Sequence, residues 1–110
     1  MSIIYIDIGK DFTRYPAGRR SEDGPFSGER FREEKLLPQF QEGVSVEVLL
    51  DGTAGYGSSF LEEAFGGLIR RGISPELVRR SLKLVTEDPA LSEEIWSYIN
   101  DQIKRNENAK

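Results

Sequence analysis

The side chains best placed for chemistry lie in one glycine-rich stretch, residues 49–63, which reads LLDGTAGYGSSFLEE. It carries the hydroxyls of Ser58 and Ser59 and the carboxylate of Asp51. A serine at the start of a helix can cap the free N–H groups of the first turn, and the same N–H groups and the helix dipole attract an anion or a covalent phosphate. Two interpretations of Ser58 therefore stand: a purely structural cap, or a site for a bound or covalent phosphate. The Lys-Ser/Thr ending of a nucleotide-binding P-loop is missing.

Enzymatic chemistry has little support in this composition. The chain contains neither histidine nor cysteine, which removes the commonest general base, the commonest metal ligand and the thiol nucleophile. The neighbouring carboxylates of Glu62 and Glu63 point about 100° apart on a helix and cannot face each other. We expect them on a solvated helix face, and we expect a non-enzymatic protein without metal or cofactor.

A positive spot interrupts an otherwise acidic chain. Arg19 and Arg20 lie in the polar segment PAGRRSEDGPFSG, residues 16–28, whereas the net charge is −4. The segment is either a solvated surface loop, or Arg19, helped by Arg30 or Arg32, holds an anion or a partner's carboxylate, for which guanidinium is well suited. The acidic balance gives no reason to expect direct nucleic-acid binding.

The serine stretch must be positioned by a strand before it and a helix after it. Residues 44–50 alternate and then close with two apolar residues, which predicts a strand whose far end is buried on both faces. Asp51-Gly52 then turns the chain into a loop around Tyr56 that ends at Gly57. Ser59 and Glu62 have the spacing of a capping box. From residue 60 the period becomes helical, and Gly66-Gly67 within that helix predicts either close backbone packing or a flat contact surface for a partner.

The remaining pattern predicts a single α/β domain over residues 1–110, with a small mixed sheet of about four strands and helices mainly on one face. Its N-terminal strands span residues 1–16, with a hairpin from 2–8 to 12–15, and residues 105–110 are expected to fray. A helix capped by Ser27 should kink or restart near Leu37, before Pro38. Further elements are expected at 75–80 (helix), 82–86 (strand) and 89–104 (helix).

The cellular setting is expected to be the cytoplasm, without membrane association. No apolar run approaches the roughly 20 residues that cross a bilayer, and no basic region precedes an apolar core at the N-terminus. A chain without cysteine forms no disulfide and suits a reducing compartment.

The run VLLDGTAGYGSSFLEEAFGGL, residues 48–68, resembles the core motif of STAS domains, the sulphate-transporter and anti-sigma-factor-antagonist domains. It is more similar to a divergent STAS-like family of unknown function, DUF4325, whose pattern resembles SGERFREEKLLP at residues 27–38 and SSFLEEAFGGL at 58–68. The resemblance covers residues 18–85. Gly57 and Phe60 stand where the antagonists have Asp and Gly around the serine pair.

In the antagonists, a partner kinase phosphorylates the first serine, and the unphosphorylated form binds that kinase and frees a transcription factor. The resemblance thus implies a regulatory domain that docks a protein through residues 51–59, with Ser58 as phosphosite and Ser59 as structural cap. The implied partner is a serine kinase or a histidine-kinase-like ATPase. The alternative is a sensor of a small ligand, an anion or a nucleotide, at the helix start near Ser58. Candidate partner-binding or anion-binding residues are Arg19, Asp51, Gly52, Tyr56, Gly57, Ser59 and Glu62.

Overall fold

The computed structural model describes residues 2–109 and has an α/β fold. Within those residues it contains three strands, five helices and a short 3₁₀ turn at Ser21–Asp23. Two of the helices, α2 and α3, each consist of α-helical segments joined by a π turn. The elements are β1 (Ile3–Asp7), α1 (Ile8–Asp11), α2 (28–41), β2 (Ser45–Leu49), α3 (58–70), α4 (Pro75–Ser81), β3 (Leu82–Val85) and α5 (Pro89–Asn108).

The sheet is parallel, in the order β1-β2-β3. Its register aligns Ile6, Val48 and Leu84, so that the even-numbered residues of all three strands share the face that the helices cover. Parallel neighbours require long crossovers, and the helices between the strands supply them. Because the strands are parallel, their carboxyl ends meet at one edge, where the loop of residues 51–57 begins.

One hydrophobic core joins the sheet to the helices. The rings of Phe31 in α2 and Phe65 in α3 lie 6.3 Å apart, and Phe31 and Phe60 lie 6.0 Å apart. A Cβ at Gly28 would overlap the carbonyl oxygen of Phe60, so only glycine permits this approach of the two helices. The apolar face predicted for α3 is buried as expected: Phe60, Leu61, Ala64, Phe65, Leu68 and Ile69.

The interruptions in α2 and α3 are π turns at Arg32–Leu36 and Glu62–Gly66. In α2 the α-helix resumes at Leu37, with Pro38 in its first turn. This confirms the predicted restart, because a proline lacks the N–H that a continuous helix would need there. A π turn places one extra residue in the helix, and such turns often occur at functional sites.

The predicted second strand at residues 12–15 is wrong, and the sheet has three parallel strands instead of about four in a mixed arrangement. The chain turns helical at Ile8–Asp11, directly after β1, since Asp7 accepts a hydrogen bond from the Lys10 N–H. Residue 14 then bonds to the loop after β2, where its carbonyl accepts from the Ala54 N–H at 2.8 Å. These contacts replace the hairpin ladder.

The C-terminal helix continues to Asn108, four residues past its expected end, so residues 105–108 are helical where a frayed tail was predicted. Met1 and Lys110, the outer ends of the predicted N-terminal strands and tail, lie outside the described residues. None of the helices found between residues 2 and 109 has the length and apolar character needed to cross a membrane.

Candidate functional site

The serine pair opens α3 without capping it. The helix begins at Ser58, Gly57 is the N-cap residue with extended backbone angles, and no side chain caps this end. The predicted cap at Ser58 or Ser59 and the predicted capping box of Ser59 with Glu62 are therefore wrong. Both serines already have helical positions, so their hydroxyls no longer stand before the first turn. Both residues are exposed.

Hydrogen bonds to the ends of β2 and β3 hold the loop of residues 51–57 in place. The Asp51 carboxylate accepts a hydrogen bond from the Thr86 hydroxyl at 2.5 Å and from the Glu87 N–H at 2.8 Å. The hydroxyl of Tyr56 donates to the carbonyl of Leu50 at 2.6 Å. Asp51 and Tyr56, both predicted to bind a partner or an anion, thus hold the loop against the ends of β2 and β3.

The same contacts change the acid–base properties of the two anchors. The hydrogen bond from Thr86, followed by the one from the Glu87 N–H, holds the pKa of Asp51 below its usual value. Burial raises the pKa of Tyr56 to about 12, so this phenol stays neutral and remains a donor at physiological pH.

The outer surface of the loop is open. Gly52, Gly57, Ser58 and Ser59 are all exposed. On its inner side Gly52 passes so close to Gly9 that a Cβ on Gly9 would overlap its carbonyl oxygen. Four predicted residues are thus exposed in the loop and at the helix start that follows it, and we call them the serine surface: Gly52, Gly57, Ser58 and Ser59.

The C-terminal helix borders this surface with Tyr98. Its hydroxyl donates to the carboxylate of Glu94 at 2.6 Å. That hydrogen bond, with a smaller contribution from burial, raises the pKa of Tyr98 to about 12, and the hydroxyl of Ser58 acts on it in the opposite direction. Ser58 therefore lies near the phenol of Tyr98, whose hydroxyl is bound to the carboxylate of Glu94.

One turn further along α3, the two π turns are joined by a buried ion pair. Arg32 and Glu63 are 4% and 5% exposed, and the Arg32 guanidinium donates to the Glu63 carboxylate and to its backbone carbonyl, both at 2.7 Å. A Cβ on Gly67 would overlap the Arg32 guanidinium, and one on Gly66 would lie 2.7 Å from Glu62 Oε2. The glycine pair is thus buried and makes room for charged side chains, which is close packing and not an open contact surface.

The ion pair belongs to a larger group that we call the arginine–glutamate cluster: Arg19, Arg32, Arg70, Arg71, Glu33, Glu62 and Glu63. Arg19 reaches Glu62 at 2.5 Å and Glu63 at 3.3 Å, while Arg70 reaches the same two residues at 2.7 and 3.4 Å. Glu33 bridges Arg32 at 2.9 Å and Arg71 at 3.0 Å. The cluster ties the segment of residues 16–28 and helix α2 to α3.

These contacts correct three sequence-based expectations. Glu62 and Glu63 do not form a solvated face, because Arg19 and Arg32 from other elements and Arg70 of the same helix pair with them. Arg19 holds carboxylates of its own chain, so the predicted external anion is replaced by an internal partner. Arg30, predicted to help it, instead pairs with Glu34 at 2.8 Å.

The comparison with known proteins agrees with the fold and with the motif. A family model described as STAS-like domain of unknown function (DUF4325) matches residues 27–91, more than half of the 110-residue chain. The chain belongs to this family. No curated protein and no solved structure matches it. The matched span of the STAS-like domain contains both π turns, the serine surface and β2, whereas β1 and Arg19 precede it.

The carboxylates of the cluster stay ionised in this STAS-like domain. Burial by itself would raise the pKa of Glu62 and of Glu63, but hydrogen bonds and charges of the surrounding arginines outweigh it and lower both values. For Glu33 the hydrogen bond from Arg71 is the largest cause of a lowered pKa. The cluster therefore behaves as a set of fixed charges near neutral pH.

Sequence reasoning named Arg32 only as a possible helper of Arg19 and missed its pairing with Glu63, and it missed Tyr98 as a neighbour of the site. Arg32 and Glu63 lie 31 positions apart, and no local pattern pairs them. The sequence signal that could have indicated a buried side chain here is Gly66-Gly67, since two glycines inside a helix suggest that another group packs where their Cβ atoms would lie. Across residues 2–109, no group of three or more side chains with metal-ligand chemistry comes together.

Proposed function

We propose that this STAS-like domain is a non-enzymatic regulatory module that docks a protein partner through the serine surface. Phosphorylation of Ser58 releases the partner. The partner is a serine kinase or a histidine-kinase-like ATPase, as the antagonist-like motif implies.

The observation that carries the proposal is the state of the two serines. Their hydroxyls cap nothing, are exposed, and stand at the first turn of α3 on a loop anchored by Asp51 and Tyr56. A structural role for Ser58 as a cap would have argued against its modification, and the geometry removes that role. The N-terminal position also tolerates a phosphate, because the free N–H groups and the dipole favour negative charge there.

Release on phosphorylation has a physical basis in the surroundings of Ser58. A phosphate adds roughly −1.5 to −2 charges at pH 7. It would stand one turn before Glu62 and near the phenol of Tyr98, whose hydroxyl is bound to the carboxylate of Glu94. A docking surface that gains this charge repels a partner fitted to the neutral serine.

The ligand-sensor alternative loses its main support. It required Arg19 to be available for an anion or a nucleotide, but Arg19 is paired with Glu62 and Glu63. Arg32, which was also predicted to help Arg19 hold an anion, is paired with Glu63. Arg30 is likewise paired with Glu34.

The decisive experiment uses lysate of the source cell. Wild type, Ser58→Ala and Ser58→Glu serve as baits, and bound proteins are identified by mass spectrometry. We expect a kinase-like ATPase on wild type and on Ser58→Ala, but not on Ser58→Glu. Incubation of the domain with lysate and ATP, followed by phosphopeptide mapping, should place the phosphate on Ser58.

The adjacent residue supplies a matched control. Ser59 has the same side chain as Ser58, is also exposed and is the next residue of the helix, so Ser59→Glu adds the same charge one residue away. Retention of the ATPase by Ser59→Glu and its loss by Ser58→Glu would support a specific switch. Equal capture by all baits, or phosphate found only at other positions, would refute the proposal.

A further inference from the structure

The outer edge of the sheet at β1 is unprotected. Between residues 2 and 109, β1 pairs only with β2, and its first three residues are exposed: Ile3 at 50%, Ile4 at 37% and Tyr5 at 62%. Natural edges are usually blunted by lysine, proline, a bulge or a covering element, because open N–H and C=O groups recruit another strand. The other edge strand, β3, carries Lys83, whereas the sequence of β1 is IIYID.

The direction of the backbone groups in β1 follows from two hydrogen bonds. The C=O of Ser2 accepts from Ser45 in β2, whereas the N–H of Asp7 points away and donates to the Asp11 carboxylate at 2.8 Å. Since the groups alternate along a strand, those of Ile3 and Tyr5 also point away from β2. The open edge therefore extends over Ile3 to Tyr5 and ends where Asp11 covers Asp7.

This edge is complementary to a second copy of itself. In an antiparallel pair centred on Ile4, Ile3 of each copy lies opposite Tyr5 of the other, and both pairs exchange their outward N–H and C=O groups. Aromatic and β-branched side chains opposite each other are a favourable cross-strand combination. On the helix-covered face, the exposed Ile4 side chains meet across the two-fold axis.

We propose that two copies of the domain dimerise through antiparallel pairing of their β1 strands. The dimer has a continuous six-stranded sheet, and its interface is isologous, so the same short edge supplies both sides. The proposal is independent of the serine surface and of any phosphorylation.

Cross-linking tests the register directly. Ile4 and its symmetry mate form a pair without backbone hydrogen bonds, for which the Cα atoms lie about 4.5 Å apart, within the range that a disulfide spans. The natural chain has no cysteine, so Ile4→Cys introduces a single thiol per copy. We expect this variant to form a covalent dimer rapidly under mild oxidation, without loss of helical circular dichroism.

The matched control is Val85→Cys. Val85 is a β-branched strand residue that is 38% exposed, almost the same as Ile4, but it lies on β3, at the far ends of the six-stranded sheet. Random collisions would cross-link both variants at similar rates. Similar rates would overturn the proposal, whereas a clear excess for Ile4→Cys supports it.

Sedimentation equilibrium of cysteine-free protein supplies the second measurement. Tyr5→Pro deletes only an outward N–H and leaves the β1–β2 ladder intact, while Tyr5→Ala removes the ring and keeps the N–H. We expect wild type to dimerise, and Tyr5→Pro to raise the dissociation constant about tenfold or more above that of Tyr5→Ala, because two edge hydrogen bonds are lost per dimer. A monomeric wild type, or equal constants for the two variants, would overturn the proposal.

Discussion

Replacing Gly67 by alanine tests the buried ion pair between α2 and α3, because the sign of the change in stability depends on that pair. In an ordinary helix interior, alanine is more stable than glycine by about 0.5–1 kcal/mol. Here the added Cβ would overlap the guanidinium of Arg32, which is 4% exposed and bound to Glu63. We therefore expect Gly67→Ala to destabilise the domain.

The magnitude follows from the cost of displacing that guanidinium. Breaking a buried ion pair by disturbing one partner typically costs about 3–5 kcal/mol, because a charge is left without compensation. Subtracting a propensity gain of up to about 1 kcal/mol leaves a net loss of about 2–4 kcal/mol in the free energy of unfolding. Gly66→Ala is the comparison: its Cβ would meet the partly exposed Glu62 carboxylate, which can move aside, so a change within about 1 kcal/mol of zero is expected.

Urea unfolding, followed by the fluorescence of Trp96 and by circular dichroism, measures these free energies. Urea is preferred to guanidinium chloride because it is uncharged and does not screen the ion pairs. A double-mutant cycle with Arg32→Ala then isolates the coupling, since all three Arg32 atoms nearest to the added Cβ are removed. In that background Gly67→Ala should stabilise the protein by about 0.5–1 kcal/mol.

Two results would refute this reasoning. Stabilisation by Gly67→Ala in the wild-type background would mean that the guanidinium does not need the space over the glycine. Equal effects of Gly67→Ala with and without Arg32 would mean that the cost arises elsewhere, for example in the backbone of the π turn. If Arg32→Ala fails to fold, the difference between Gly67→Ala and Gly66→Ala still decides the sign.

Three further predictions concern the charges and the loop anchors. The pKa values of Glu62 and Glu63 are lower in the folded state than the ordinary value of 4.5, so the stabilisation that these carboxylates give the fold is present above pH 4.5 and is lost as pH falls through the folded-state values. The urea concentration at the midpoint of unfolding should therefore fall as the pH is lowered below about 4.5, and it should fall less steeply in Glu63→Gln. Tyr56→Phe leaves the carbonyl of Leu50 without its donor and should lower the free energy of unfolding by about 1–2 kcal/mol, measured by urea titration; no change would mean that water replaces the phenol. Asp51→Asn leaves one side-chain oxygen, that of the amide, to accept from both the Thr86 hydroxyl and the Glu87 N–H. Hydrogen exchange of the backbone amide at position 87 should therefore become faster, and an unchanged exchange rate would contradict the anchoring role of Asp51.

The elements that local chemistry specifies could be predicted from the sequence. Ser27 caps its helix as expected, accepting a hydrogen bond at 3.1 Å from the N–H three residues ahead, and Ser74 caps the helix expected at 75–80 in the same way. The alternation of β2 and the helical period of α3 also correspond to buried faces. In each case the signal and its structural consequence lie within a few residues of each other.

Only part of the candidate site could be predicted, because many of its contacts join residues that are far apart in the sequence. The exposed loop and its serines follow from turn residues, but the partners of Arg19 lie 43 and 44 positions away, and the donors to Asp51 lie 35 and 36 positions away. Such pairings depend on how elements distant in the sequence pack together, and no local pattern shows that. The hairpin was predicted wrongly because the pattern of its second strand, residues 12–15, is only four residues long. The helical turn that follows Asp7 directs the chain away from that pairing.

The arrangement around the serine surface suits the proposed docking for an energetic reason. Asp51 and Tyr56 fix the loop below it, and Glu62, one turn beyond Ser58, is held by two arginines. A surface that is ordered before it binds loses less conformational entropy on association, so a modest contact area can suffice for a specific complex. A phosphate on Ser58 would add its charge to this ordered surface and would act directly on the proposed partner bound there.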